Sequence, residues 1–325
     1  MNQTLRFPAE WEAQSGVLIA WPTADTDWAD RLGQVEETYI ALVAAITRFQ
    51  PVLICVADDD VETYAEMRLR SNRIDMDKVH FTTAAYDDTW LRDSGPITLR
   101  RADGSFQLLD FRFTGWGGKF DASLDDQLVG VLDQAGVFND APVRSIPFAL
   151  EGGGIETDGE GTLLTTWKCL HERHPDRDRD SLSADLANWL QQERVLWLDH
   201  GYLEGDDTDA HIDTLARFAS ADSIVYQACD DASDSHYAEL QAMADEIAAL
   251  LDHLAKADIG RDGFGETGRA FHPAPTADVI HHVRQVIAVH GGTLIARELL
   301  AHESAAVLAW APRLGAGAVR FCRRP

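Results

Sequence analysis

Short runs of Val, Ile, Leu and aromatic residues, each bounded by Gly, Pro or Asp, recur along the chain and read as strands. They are "GVLIAWP", "PVLICVADDD", "GPITLRRADG", "SFQLLDFRF", "GTLLTTWKCL", "RVLWLDHG", "DSIVYQACDD" and "GGTLIAREL". Between several of them the apolar residues return every three or four positions, as in "VEETYIALVAAITRFQ", "SLSADLANWLQQERV" and "SHYAELQAMADEIAALLDHLA". That spacing predicts amphipathic helices. Three strand runs, at Gly161, Asp222 and Gly292, start roughly 60 to 70 residues apart, the mark of a repeated strand-and-helix unit. The pattern is α/β in one globular body, and it leaves a doubly wound sheet and a propeller of repeated units both open.

Composition narrows the partners. Among 325 residues, acids outnumber bases 54 to 28, for a formal net charge of -26. Nucleic acid binding needs Lys and Arg to displace counterions, so this balance argues against it and favours a cationic small molecule or a solubilising surface. The four cysteines, Cys55, Cys169, Cys229 and Cys322, form no CxxC pair and sit mostly in apolar runs. They read as buried thiols of a reducing compartment. No basic-plus-apolar leader opens the chain, and no apolar run approaches the roughly 18 residues of a membrane span. A soluble cytoplasmic protein is expected.

Three segments carry candidate chemistry. "YDDTWLRDSGPITL" sets Asp87, Asp88, Arg92 and Asp93 beside Trp90 just ahead of a strand, where carboxylates and an indole face can receive a planar cation or simply form a charged turn. "FALEGGGIETDGEGTLLTT" leaves Glu151 at a strand end before three glycines, which lets the backbone bend sharply with or without a function. "GDDTDAHIDTLARF" gathers Asp206, Asp207, Asp209 and Asp213 around His211. An EF-hand needs Gly at its sixth position and Glu at its twelfth, and His and Arg stand there. A zinc site on His211, Asp207 and Asp213 lacks a second histidine at helical spacing. A phosphate loop fails in "TGWGGKF", because Phe120 follows Lys119. What the three segments share is an acid at a strand end or loop, with one histidine able to move protons near neutral pH. Converging carboxylates repel unless a cation lies among them, and a guanidinium matches paired carboxylates.

These residues are also where the chain resembles a known family. The runs "PAEWEAQSGVLIAWP", "DDTWLRDSGP", "LLDFRFTGWGGKF", "LEGGGIETDGEGTLLTT", "WLDHGYLEGDDTDAHIDTLARF" and "IVYQACDD" closely resemble the agmatine deiminases, the bacterial peptidylarginine-deiminase-like branch of the guanidino-modifying enzymes. They stand in family order over about residues 8 to 231. The resemblance implies a pentein fold, a five-bladed α/β propeller with pseudo-fivefold symmetry. It implies one domain over residues 1–325, hydrolysis of agmatine to N-carbamoylputrescine and ammonia on a route to putrescine, no metal, no organic cofactor, and family members that often form homo-oligomers. It implies that Asp93 and Asp213 bind the guanidinium, that His211 is the acid-base group with Glu151 as its partner, and that Trp90, Trp116 and Asp207 help bind the substrate. Arginine or peptidyl-arginine stand as alternative substrates.

The chain departs from the family after about Lys256. Members carry a nucleophilic cysteine near the C-terminus in a motif of the "GSLHC" or "GGIHC" kind, which forms a covalent amidino intermediate. Neither motif occurs here. The last cysteine, Cys322 in "AVRFCRRP", lacks the glycines and the preceding histidine. The stretch from 256 to 325 reads as a divergent tail or another reading frame, and the expectation is a substrate cradle without the family nucleophile.

Overall fold

The computed structural model describes residues 5–221, 223–262 and 317–323. They fall into two compact units, one made of Glu12–Gly152 and the other of Leu5–Trp11 with the chain from Gly153 onward. No helix among the described residues is long and apolar enough to cross a membrane.

In the first unit, strands Val17–Ala20, Val52–Val56 and Val79–Thr83 pair in parallel. The continuous apolar runs of the first two, VLIA and VLICV, suit a parallel sheet covered on both faces. Helices Leu32–Ile46 and Asp59–Ser71 supply one cover: Ile40, Val43 and Ile46 with Ala65 and Leu69 join Val52, Ile54 and Val56 in one buried cluster. The acids closing "VLICVADDD" have a structural use, since Asp58 accepts the Val61 N–H at 2.8 Å and caps the second helix. Such a cap contributes about 1 kcal/mol. Against the other face, Ala20 and Cys55 cluster with Ala84, Tyr86, Leu91, Leu128 and Leu132. That cluster ties the turn after Trp90 to helix Asp125–Gln134.

A second sheet of the same unit begins as a hairpin. Strands Ile97–Arg101 and Phe106–Arg112 pair antiparallel, the helix Asp125–Gln134 follows, and Val143–Ala149 returns parallel to Phe106–Arg112. The second unit repeats this order. Ile155–Thr157 and Thr162–Thr166 are antiparallel, helices Trp167–Arg173 and Arg179–Leu190 follow, and Arg194–Leu198 returns parallel. The run "GTLLTTWKCL", expected as one strand, stops at Thr166, whose side chain accepts the Cys169 N–H and starts a helix instead.

The next repeat begins the same way and ends differently. Ala216–Ser220 and Ser223–Cys229 are antiparallel, and helix Tyr237–Asp262 follows. The strand beside Ser223–Cys229 is then Gly317–Arg323, and it runs antiparallel where the two complete repeats are parallel. The α/β expectation holds. The described residues make four separate sheets, none of them closed on itself. The strand expected in "GGTLIAREL", the one available for a further repeat, lies outside the described residues.

Candidate functional site

Four of the expected residues, Trp90, Asp93, Trp116 and Glu151, belong to the first unit. Trp90 precedes a single helical turn, Leu91–Ser94, which presents Asp93 half-buried. The Asp93 carboxylate accepts the Trp116 indole N–H at 2.9 Å. Trp116 does this from a left-handed backbone, φ 54, uncommon for a bulky residue. Edge-on contacts with Phe113 at 5.1 Å and Phe120 at 5.6 Å hold its ring in place. Trp90 packs on Trp28, ring centres 5.3 Å apart, and the Trp28 indole N–H donates to Thr89 Oγ1 at 2.7 Å.

Glu151 follows strand Val143–Ala149 and is 1% exposed. Its neighbour Gly152 explains how the strand end comes so near the turn. A Cβ at that position would lie 2.2 Å from the Arg92 carbonyl oxygen, closer than any side chain tolerates. Glycine there lets the Glu151 segment rest on the backbone that carries Asp93. The structure therefore brings Trp90, Asp93, Trp116 and the Glu151 segment together within one unit.

The acids of "GDDTDAHIDTLARF" divide by role in the second unit. Asp206 accepts the Thr208 and Ala210 N–H groups at 2.9 and 2.6 Å. Asp209 and Ala210 are both left-handed, and Arg173, its side chain 1% exposed, binds Asp209 at 2.6 Å and the Thr208 carbonyl at 3.1 Å. These two acids fold the loop. Asp207 is exposed, so the sequence reading that grouped it with the site residues finds it on the surface. His211 is 1% exposed and opens the four-residue turn Ile212–Leu215 that carries Asp213. Its backbone N–H donates to Thr208 Oγ1 at 3.2 Å and its carbonyl accepts the Thr214 hydroxyl at 2.9 Å, so both sides of its main chain are fixed.

Directly after that turn, strand Ala216–Ser220 is locked by an ion pair whose acid is buried. Arg217 Nε donates to Glu156 Oε2 at 2.6 Å, the Phe218 N–H donates to Glu156 Oε1 at 3.1 Å, and Arg217 also pairs with Glu10. Cys169 is fully buried, and its sulfur lies within 4.8 Å of a His211 ring nitrogen. The three described cysteine thiols are all buried.

Sequence reasoning passed over Asp125. This residue is 3% exposed, accepts the Asp87 N–H at 2.8 Å, and is pushed up to about 6 by burial. Burial likewise raises Asp88 above the usual carboxylate range. The available signal was "SLDDQLVG", two adjacent acids at a helix start, which reads as an ordinary response to the helix dipole.

With this geometry in place, similarity to known proteins is informative. The sequence model of the Porphyromonas-type peptidyl-arginine deiminase family matches residues 6–257. An agmatine deiminase of Stutzerimonas stutzeri (strain A1501) is 33% identical over 258 residues, 77% of this chain and 68% of that protein. One of Pseudomonas aeruginosa (strain LESB58) is 31% identical over 245 residues, 73% of this chain and 64% of the relative. Among solved structures, C. jejuni agmatine deiminase, a cysteine-to-serine variant with substrate bound, is 30% identical with a TM-score of 0.70 and covers 76% of this chain and 72% of its own. The chain thus spans about two thirds of the length of the curated relatives it matches.

Proposed function

As the chain belongs to the Porphyromonas-type peptidyl-arginine deiminase family, we propose that it binds agmatine and hydrolyses its guanidinium group to N-carbamoylputrescine and ammonia. The observation that carries this reading is the Asp93 carboxylate, oriented by the Trp116 indole and set on the turn that follows Trp90. In this reading Asp93 and Asp213 take the terminal nitrogens of the guanidinium and hold its carbon for attack. His211 protonates the departing ammonia and then activates water, and Glu151 favours its charged form. Trp90 and Trp116 wall the substrate channel, no metal or organic cofactor takes part, and no nucleic acid is bound. Cytoplasmic residence is part of the proposal, in keeping with buried thiols. So is a five-bladed propeller, supported by the recurrence of hairpin, helix and strand in successive sheets.

The covalent step of the family requires a thiolate, and one observation favours a second reading for it. The match ends at residue 257, and the sequence contains neither "GSLHC" nor "GGIHC". In that reading the chain binds agmatine without turning it over. Two measurements on the full chain separate the two: calorimetric binding of agmatine and release of ureido product. Binding that weakens at least tenfold in Asp93→Asn and Asp213→Asn, with ureido release, supports the deiminase. The same binding without ureido release selects the silent homologue, and no agmatine binding at millimolar concentration overturns both. Turnover lost in Cys322→Ser assigns the nucleophile to the terminal cysteine.

A further inference from the structure

Asp93 sits on a turn of only four residues, and so short a turn cannot hold its own position. The segments on either side of it are hydrogen-bonded to the start of one helix. On the upstream side, Asp125 Oδ1 accepts the N–H of Asp87 at 2.8 Å and of Asp88 at 3.4 Å. Asp87 returns the arrangement, its Oδ2 accepting the N–H of Leu124 at 2.8 Å and of Asp125 at 3.4 Å. Each carboxylate thus caps the other's backbone.

The chain of contacts continues to Trp90. Asp88 accepts the Asp27 N–H at 3.0 Å and the Thr89 N–H at 2.6 Å, Thr89 Oγ1 accepts the Trp28 indole N–H, and Trp28 packs on Trp90. On the far side of Asp93, the next residue of the helix does comparable work. Asp126 Oδ1 accepts the Phe113 N–H at 2.6 Å, fixing the strand end from which Trp116 reaches back to Asp93. Behind both arms, Leu91 packs with Leu128 and Leu132 of the same helix.

We propose that Asp125 is a positioning residue for the guanidinium-binding acid, and that with Asp126 it forms a tandem clamp fixing the two arms on either side of Asp93. This rests on the reading of Asp93 as a substrate ligand. The reciprocal pairing with Asp87 is what distinguishes the clamp from ordinary helix capping. A capping acid serves its own helix, whereas Asp125 spends its acceptor on amides of another segment. Asp125→Asn keeps an acceptor oxygen, and Asp125→Ala removes it.

The test is agmatine titration of the full-length chain by calorimetry, alongside hydrogen exchange of the backbone amides. Asp125→Ala should raise the Kd for agmatine at least tenfold and speed exchange at amides 87–94, and Asp126→Ala should speed exchange at amides 113–116, while amides of Val52–Val56 keep their protection in both. Asp125→Asn should stay within threefold of the unsubstituted chain. Unchanged Kd in Asp125→Ala, or faster exchange spread evenly over the unit, overturns the clamp and leaves a merely structural acid. If the unsubstituted chain binds no agmatine, the proposed function fails on its own, and the exchange pattern alone decides: local release at both arms supports the clamp, and its absence refutes it.

Discussion

Glu156 offers the sharpest quantitative prediction. It is 1% exposed on the short strand Ile155–Thr157, and its two oxygens serve different partners, Arg217 Nε at 2.6 Å and the Phe218 N–H at 3.1 Å. Glu156→Ala removes the buried side of an ion pair whose guanidinium side chain is 34% exposed; stranding a fully buried charge costs about 3–5 kcal/mol, and solvent at Arg217 holds the figure to the lower part of that range. Glu10, the second partner of Arg217, keeps part of the cation's compensation and moves the figure toward the low end. Loss of the acceptor for the Phe218 amide adds about 1 kcal/mol. The expected total is about 4 kcal/mol. Glu156→Gln keeps an acceptor for the amide and a neutral partner for Arg217, so about 2 kcal/mol is expected. Denaturant unfolding followed by circular dichroism measures both, and at about 2–4 °C per kcal/mol the alanine variant should melt about 8–16 °C lower. A double-mutant cycle with Arg217→Ala should return a coupling above about 1.5 kcal/mol. A cost below about 1 kcal/mol for Glu156→Ala would refute the argument that this pair anchors the strand behind Asp213.

Four further outcomes follow from the same geometry. Arg173→Met strips Asp209 and the Thr208 carbonyl of their buried donor, so unfolding free energy should fall by about 3 kcal/mol, measured in denaturant. Gly152→Ala drives a Cβ against the Arg92 carbonyl; it should cost about 1–3 kcal/mol and weaken agmatine binding by displacing the Asp93 turn, as melting and calorimetry will report. Burial lifts Asp125 to about 6, so the folded state holds that proton more tightly than the unfolded one. Its contribution is therefore complete below about pH 4 and lost as pH rises through 6, worth up to about 3 kcal/mol for a shift of about two units. Asp125→Asn should accordingly gain stability relative to the unsubstituted chain between pH 4 and pH 7.5. Dialysis against a chelator should leave agmatine binding unchanged, since carboxylates and indoles alone hold the guanidinium in the proposed mechanism.

How much of this was legible in the sequence depends on length scale. The strands "VLICV" and "SIVYQAC" announce themselves because five to seven consecutive residues share β-branched or apolar character, and both form where expected. Helix Asp59–Ser71 was masked by its acids: "DDDVET" looks like a charged loop until Asp58 is seen to cap it. The turns Leu91–Ser94 and Ile212–Leu215 are too short for periodicity to register, and it was the motifs around them, not any pattern, that pointed to Asp93 and His211. Within "GDDTDAHIDTLARF" four acids look alike on paper. Only the structure separates them: Asp206 accepts backbone amides, Asp209 binds a buried guanidinium, and Asp207 lies exposed.

The third strand of the last sheet shows why local pattern alone could not settle the topology. Two earlier repeats close with a strand parallel to the middle one, as a helical crossover requires. After helix Tyr237–Asp262 the corresponding edge of Ser223–Cys229 is filled by Gly317–Arg323, antiparallel and more than fifty residues downstream. An exposed edge of seven residues offers unpaired amides and carbonyls to any extended segment, and either direction satisfies them. Hydrogen bonding therefore fills that edge without specifying the parallel orientation that the two earlier repeats use. Because the match to the family stops at residue 257, the substitution begins where the inherited pattern ends. The residues that bind and orient the guanidinium in the proposed mechanism, Asp93, Glu151, His211 and Asp213, all precede that point. In that mechanism agmatine affinity and the covalent step rest on different stretches of chain, and binding without ureido release is the outcome expected if only the second is lost.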